Sequence, residues 1–402
     1  MFSLFDWNIK EKPFMSIFGL GGGSSSPGNS SSGGGGSLFP FTSFVFNPGG
    51  GSGRSADSLS EFLSNPTYDT GTYSWLTNTD YFAMPQNGFQ LWTVPEDGDY
   101  IIEAKGASGG SVSYPGNSST SFYARGGGGA TLTATFSLTA GDKLLIATGQ
   151  HGTRMWNYPS GGAAGGGGGT FVLKQNASTI SDVYMIAGGG GGASFYSPRI
   201  PTAYMYGASS TANNSQGSDA RPGLNPLPTA YGAASAPGPG GGSRTLGGTD
   251  GYGGGGALGG GGGAYFGPGG TTPQYSTYGV DSRYGHGYAS GNPLTPDSYR
   301  LRGGYAASGP SSYWGPDPLQ GQGGFGGGGA AQVTTGYAGG GGGYSGGGGG
   351  TFRPSPNPSR QQSGGAGGNW IDPAGTNITR TNGSIIPSTS QGIGGQVTIT
   401  KV

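Results

Sequence analysis

Two runs of five glycines, each set against a short apolar strand, constrain this chain more than any other feature. Gly165 to Gly169 run straight into Thr170-Phe171-Val172-Leu173, and Val183-Tyr184-Met185-Ile186-Ala187 runs straight into Gly188 to Gly192. Glycine loses more backbone entropy on ordering than any other residue. Pure glycine beside a strand therefore makes neither a better strand nor a better helix. It suits a place where one backbone passes against another with no Cβ between them.

One regular structure needs this. The extended helix with three residues per turn has no internal hydrogen bonds, and its N–H and C=O groups point outward. When such helices lie side by side away from water, those groups must bond to one another. A Cβ on the contact face would hold the backbones apart, so glycine permits a lattice of polyglycine helices. Five residues at ~3.1 Å each span about 15 Å. Lateral bonds worth about 1 kcal/mol each must offset the entropy of ordering glycine. Gly167, Gly190, Gly261, Gly341 and Gly348 sit inside such runs and are the expected lattice positions. No strict G-X-Y period exists, so the chain is not collagen.

Glycine is 97 and proline 28 of 402 residues, a share that by itself suggests low-complexity disorder. Two features oppose that reading. Aromatic residues make up 12% of the chain, whereas disordered chains are poor in them. The glycines also fall in blocks, at 126–129, 165–169, 188–192, 259–263, 326–329, 339–343 and 346–350 among others. A flexible linker mixes Gly and Ser freely, as only the region from Gly21 to Ser37 does here.

Strand patterns sit at both ends of the glycine region. Phe89 to Val94 alternates, Pro95 to Gly98 has turn residues, and Tyr100 to Ala104 reads as the return strand of a hairpin. Ala130 to Leu138 and the final Gly395 to Val402 alternate as well, and Lys143 to Thr148 follows the turn at Ala140 to Asp142 as a further strand. Ser55 to Leu63 has helical spacing over a turn or two. The expected fold is mainly β, a sandwich with an inserted polyglycine bundle, long irregular loops and almost no α-helix. Its parts are a docking peptide and tether at 1–37, the first part of the sandwich at 38–105, and a glycine-rich domain at 106–402 whose last strand returns to the sandwich.

Eighteen basic and eighteen acidic residues balance to a net charge of zero, which argues against nucleic acid as a partner. No cysteine is present, and no apolar run reaches the ~18 residues of a membrane span. The two histidines, His151 and His286, are far apart, so neither a metal site nor a catalytic constellation is expected, and no cofactor. G-x-G-x-x-G matches carry no information in a chain this rich in glycine. The first twenty residues lack the basic start of a secretory signal and read as a docking peptide presenting Phe2, Phe5, Trp7, Phe14, Ile17 and Phe18; Met15 is an alternative start.

Long aromatic segments lie between the glycine runs, at 193–239 and 264–324. Tyrosine and tryptophan give contact area at low entropic cost and dominate binding hot spots. Phe195, Tyr196, Tyr204, Tyr206, Tyr284, Tyr288, Tyr313 and Trp314 are therefore candidate receptor-binding residues, with Arg353 in a proline-rich stretch as another. The competing reading is that these rings cover lattice edges, where glycine supplies no side chains for a core.

Gly88 to Gly110 (GFQLWTVPEDGDYIIEAKGASGG) resembles the opening of the glycine-rich domain of the anaplastic lymphoma kinase and leukocyte tyrosine kinase receptors. The resemblance continues through Phe136 to Gln150, Gly165 to Val172, Met185 to Gly192 and Gly394 to Thr400, with Phe44 to Gly53 matching the start of that domain. It implies a jelly-roll-like sandwich carrying a hexagonal polyglycine bundle and binding a protein ligand. A similar bundle occurs in adhesins at the tips of some bacteriophage tail fibres, where loops at its end contact the host. With no cysteine, signal or kinase, the expected role is that of a virion structural protein in the tail. It would be an adhesin docked to other virion proteins through its N-terminus and recognising a protein or glycan receptor on the host surface. The alternatives are a capsid decoration or tail-assembly protein, and an extracellular ligand-binding domain. Neither membrane insertion nor enzymatic activity is expected; a homo-oligomer is compatible with all three.

Overall fold

The computed structural model describes residues 37–48, 53–115, 121–153, 155–156, 161–196, 204–205, 253, 259–268, 285, 288, 300–304, 321–331, 337–350, 363–383 and 392–402. Two large antiparallel sheets dominate. One orders its five strands as β1 (Ser43–Phe46), β17 (Gln396–Lys401), β4 (Gly98–Lys105), β7 (Thr131–Leu138) and β16 (Thr376–Thr381). The other orders six as β15 (Trp370–Ile371), β12 (Val183–Ala187), β11 (Thr170–Lys174), β8 (Lys143–Ala147), β3 (Phe89–Thr93) and β2 (Phe82–Gln86). The chain is mainly β and forms a sandwich, as the strand patterns indicate. The C-terminal strand β17 lies between β1 and β4, with Ile399 opposite both Phe44 and Ile102. Because the five-stranded sheet draws β1 and β4 from before residue 106 and three strands from after it, the two parts share one core.

The core between the sheets follows from alternation. Tyr100, Ile102 and Ala104 of β4 point into it, as do Trp92 of β3, Leu144 and Ile146 of β8, and Val397 and Ile399 of β17. Trp92 and Tyr100 are fully buried and meet edge to face with ring centroids 6.0 Å apart. That contact explains a departure from expectation. β3 and β4 do not form a hairpin: β3 pairs with β2 and β8, whereas β4 pairs with β7 and β17. The four residues 94–97 cross from one sheet to the other, because both strands bury their large side chains against the same core. β7 and β8 cross likewise, and the two crossings brace each other through Ala140 N–H to the Asp97 carboxylate (2.8 Å).

The six-stranded sheet is buried on its second face too. Phe89, Leu145, Phe171, Leu173 and Ile186 form a separate cluster there with Tyr265, Tyr288, Leu301, Phe325 and Tyr344 from the glycine-rich region. The short helix α1 (Leu59–Ser64) begins later than its spacing suggests, because Ser58 caps it: Ser58 accepts from the Glu61 N–H, and Glu61 Oε2 accepts from the Ser58 N–H at 2.7 Å. Two small sheets complete the described fold. One holds β6 (Ser121–Ala124), β5 (Val112–Pro115) and β9 (Met155–Trp156); the other holds β10 (Gly161–Ala163), β13 (Ser194–Tyr196) and β14 (Tyr204–Met205).

A glycine lattice and the candidate recognition surface at its end

Strands of both large sheets run on into the glycine segments. β4 passes into 106–110, β8 into 149–153 and β12 into 188–193, while 126–129, 164–169, 363–368 and 392–395 lead into β7, β11, β15 and β17. Inside the sandwich the sheets are held about 10 Å apart by core side chains. Beyond it no side chains separate them, and the two layers meet backbone to backbone. Thr170 closes the seam: its hydroxyl donates to the Lys105 carbonyl of the opposite sheet (2.6 Å) and accepts from the Gly149 N–H (3.0 Å).

The bonding in the segment 164–169 shows a three-residue period. Ala164 and Gly167 donate to Ala193 and Gly190, Gly165 and Gly168 to Thr153 and Gln150, and Gly166 and Gly169 to Gly329 and Gly326. Its carbonyls follow the same rule. Those of Ala164 and Gly167 accept from Gly339 and Gly342, those of Gly165 and Gly168 from Gly110 and Ala107, and that of Gly166 from Gly324. Neighbours repeat every third residue, as three residues per turn demands, and six segments surround this one in a hexagonal arrangement. Gly190 lies in an equally enclosed helix, donating to Ala107 and accepting from Gly167. Gly341 donates to Gly365 (2.8 Å) and accepts from Gly347 (2.7 Å). The carbonyls of Gly261 and Gly348 accept from Gly285 and Gly365. All five expected lattice positions therefore lie in the laterally bonded array.

Segments at the rim escaped the sequence reading because they are not pure glycine. Gly106-Ala-Ser-Gly109 and Gly149-Gln-His-Gly152 carry side chains between glycines three apart. A Cβ at Gly106, Gly109, Gly149 or Gly152 would overlap the carbonyl of Gly188, Gly191, Gly168 or Gly165 respectively. Glycine at every third position beside a strand was the signal available. An enclosed helix needs glycine all round, whereas a rim helix needs it only on faces that touch a neighbour.

The lattice ends in one laterally bonded tier away from the sandwich. Ala164 bonds to Ala193, Ala193 to Gly110, Gly165 to Thr153, Thr153 to Gln322, Gly192 to Gly339, Gly364 to Gly192, Gly350 to Ala338 and Ala331 to Gly321. An alanine cluster caps it: Ala124, Ala163, Ala164, Ala193, Ala331 and Ala338, with Val112. Both small sheets continue from this tier. Three receptor-binding candidates lie on them: Phe195 pairs across from Tyr204 and Gly162, and Tyr196 from Gly161.

The other candidates divide. Tyr206, Tyr284, Tyr313, Trp314 and Arg353, like Phe2 to Phe18 of the docking peptide, fall outside the described residues. Tyr288 is placed, and its role as a receptor contact gives way to packing. It is 2% exposed and stacks on Tyr265 at 5.3 Å with ring planes 8° apart. The Tyr265 hydroxyl donates to the Thr179 carbonyl (2.9 Å). Burial pushes both phenols above their ordinary range. Both rings belong to the buried cluster on the second face of the six-stranded sheet. Among the described residues, no group of three His, Cys, Asp or Glu side chains is placed to hold a metal ion, and no helix is long and apolar enough to cross a membrane.

Comparison with known proteins agrees with the resemblance in part. The chain is 36% identical over 111 residues to the leukocyte tyrosine kinase receptor of Mus musculus. The match covers 27% of this chain and 11% of that receptor, so it spans only a small part of that receptor's length. No protein-family model matches.

Proposed function

We propose that this chain is a non-enzymatic recognition module that binds a macromolecular partner at the lattice end farthest from the sandwich. The common tier at that end carries the reading. From it the chain continues into aromatic-rich segments, anchored where backbone bonds hold every strand in place. Binding surfaces gain affinity when their supports are already ordered, since less entropy is lost on association. Lattice glycines have no side chain with which to bind or react, so recognition falls to what the lattice displays.

Two settings suit this module. The narrower reading is a bacteriophage tail adhesin that recognises a host surface and docks to other virion proteins through Phe2 to Phe18. It is supported by the apolar start and its Gly/Ser tether. The second, an extracellular ligand-binding domain, is supported by the partial likeness to a receptor. One experiment addresses the module itself: binding of the full chain to a panel of intact bacterial cells and to cell-surface protein and glycan arrays. A Phe195→Ala/Tyr196→Ala variant and a chain with 305–320 replaced by Gly/Ser are run beside it. Saturable binding lost in either variant, at an unchanged melting temperature, is the expected result. Binding untouched in both, or absent from the folded parent on every surface, overturns the reading. Deleting all of 264–324 is not a usable control, because Tyr265, Tyr288, Leu301 and the lattice residues 321–324 belong to the structural core.

A further inference from the structure

Where the sandwich core gives way to the lattice, two glutamines are buried beside one small cavity. Gln90 lies on β3 and is 1% exposed; Gln150, just past the end of β8, is fully buried. Strand alternation sets Gln90 on the core face with Trp92, and Thr148 continues the row of Leu144 and Ile146. Described residues lining the cavity include both glutamines, Thr148, Asn47, Phe62 and Phe325, and its free volume is about 10 Å³.

Side chains this deep are normally hydrogen-bonded throughout. These two are not. Gln90 Nε2 donates to the Asn47 carbonyl at 3.4 Å and to the Thr148 hydroxyl at 3.5 Å, both longer than the usual range of about 2.7–3.2 Å. Gln90 Oε1 has no partner among the described residues, and neither has Oε1 or Nε2 of Gln150. Turning the Gln150 amide end for end exchanges the two atoms and supplies a partner to neither. The main chain of Gln150 is held on both sides: its N–H donates to the Phe325 carbonyl (2.8 Å), and its carbonyl accepts from the Gly168 N–H (3.0 Å). The lattice therefore fixes where this carboxamide sits, and the cavity is the space beside it.

We propose that this cavity binds one ordered water molecule that joins the two carboxamides and ties β3 to the lattice segment following β8. The size fits a single water, which needs roughly 10–15 Å³ and two to four polar partners. The chemistry selects water over a small cation. Gln90 presents an acceptor, whereas Gln150 presents a donor and an acceptor. Water accepts from the Gln150 N–H and donates to Gln90 Oε1, with a second O–H for another oxygen. A cation would satisfy the oxygens and leave the Gln150 donor facing a positive charge. An apolar occupant would satisfy none of the three, and a buried polar group without a partner is costly. Within the sandwich, side chains fill the space between the sheets, and in the lattice backbones bond directly. At the step between them this water completes the contact.

The test uses the full chain labelled with ¹⁵N-glutamine. Selective excitation of water should transfer magnetisation by a dipolar route to the side-chain amide protons of both Gln90 and Gln150, a route whose sign in the rotating frame separates it from proton exchange. Gln90→Met and Gln150→Met assign the two signals. Absence of that transfer at either carboxamide overturns the bridge, and this reading on the parent chain stands even where a variant fails to fold. Urea unfolding gives an independent sign. Methionine fills the space of Gln150 without its polar atoms. With the water in place, Gln150→Met removes one of its partners and lowers the urea midpoint, and the double variant with Gln90→Met costs less than the sum of the two single changes. In a dry cavity the same Gln150→Met change removes unpaired groups and raises the midpoint. A midpoint unchanged or raised therefore overturns the proposal. Unfolding in sodium and in potassium chloride at equal ionic strength should give one midpoint; stabilisation specific to one of these cations overturns water as the occupant.

Discussion

Gly190→Ala is the smallest perturbation that tests whether the glycine lattice holds this fold together. The added methyl would overlap the Gly127 carbonyl, and both backbones belong to extended lattice segments with no side chain to move aside. The helix must therefore shift as a unit. Such a shift loosens Gly190 N–H to Ala107 O (2.9 Å), Gly167 N–H to Gly190 O (2.8 Å), and the neighbouring Gly127–Gly191 (2.9 Å) and Gly189–Gly342 (2.8 Å) bonds. A buried backbone group left unsatisfied costs about 1–3 kcal/mol, so losing even two of these bonds costs about 2–6 kcal/mol. That is a large part of the roughly 5–15 kcal/mol that holds a domain folded. Gly141→Ala is the matched control. Gly141 sits in a turn at φ 88° with nothing within 4 Å of the added methyl, so only backbone strain applies, about 1–2 kcal/mol. Urea unfolding of both variants, followed by circular dichroism, gives the comparison. A Gly190→Ala variant no less stable than Gly141→Ala would refute the packed lattice.

Further outcomes follow from named contacts. Thr170→Val removes both hydrogen bonds at the seam between sheets and lattice and should cost about 2–4 kcal/mol in urea unfolding; a cost under about 1 kcal/mol would show that the seam does not matter. Asn369 Oδ1 accepts from the buried Gly188 N–H at 2.7 Å, standing in for a lattice carbonyl, so Asn369→Ala should cost about 1–3 kcal/mol and speed hydrogen exchange at Gly188. Burial raises the Tyr68, Tyr265 and Tyr288 phenols above the ordinary 10.0. A folded value above the unfolded one means stability fully present below pH 10 and lost as pH rises beyond it. Unfolding midpoints should fall in that window while tyrosinate absorbance lags behind that of the unfolded chain, and tyrosines ionising at their ordinary value in the native protein would contradict it. The Asp182 carboxylate is held below its ordinary 3.8 first by the Ser178 N–H and then by Thr179. Its contribution is present above that value and disappears as pH falls through the lower folded value, which titration of Asp182 by NMR would show.

Much of this architecture was legible in the sequence because glycine at a buried backbone contact has no substitute. The runs at 165–169, 188–192 and 339–343 mark backbones in contact, and the apolar strands beside the first two lie in one sheet. Which helices are enclosed was legible too, since pure runs need neighbours on every side while glycines spaced by three need them on some. The Gly106–Gly109 and Gly149–Gly152 spacings carry that information in a weaker form than the longer runs. What tertiary structure alone decided is where strands and rings go once they leave the chain's local logic. Residues 94–97 look like a hairpin turn, yet β3 and β4 part into opposite sheets because Trp92 and Tyr100 fill the same core. Tyr288 reads as an exposed binding residue, yet it covers the second face of the six-stranded sheet, where strands buried on both sides need rings from distant segments. Gln90 and Gln150 lie far apart in the chain, and only the pairing of β3 with β8 brings them to one cavity. Local sequence determines backbone contact through the absence of a side chain; the partners of the side chains that remain depend on which buried surfaces the whole fold leaves to be covered.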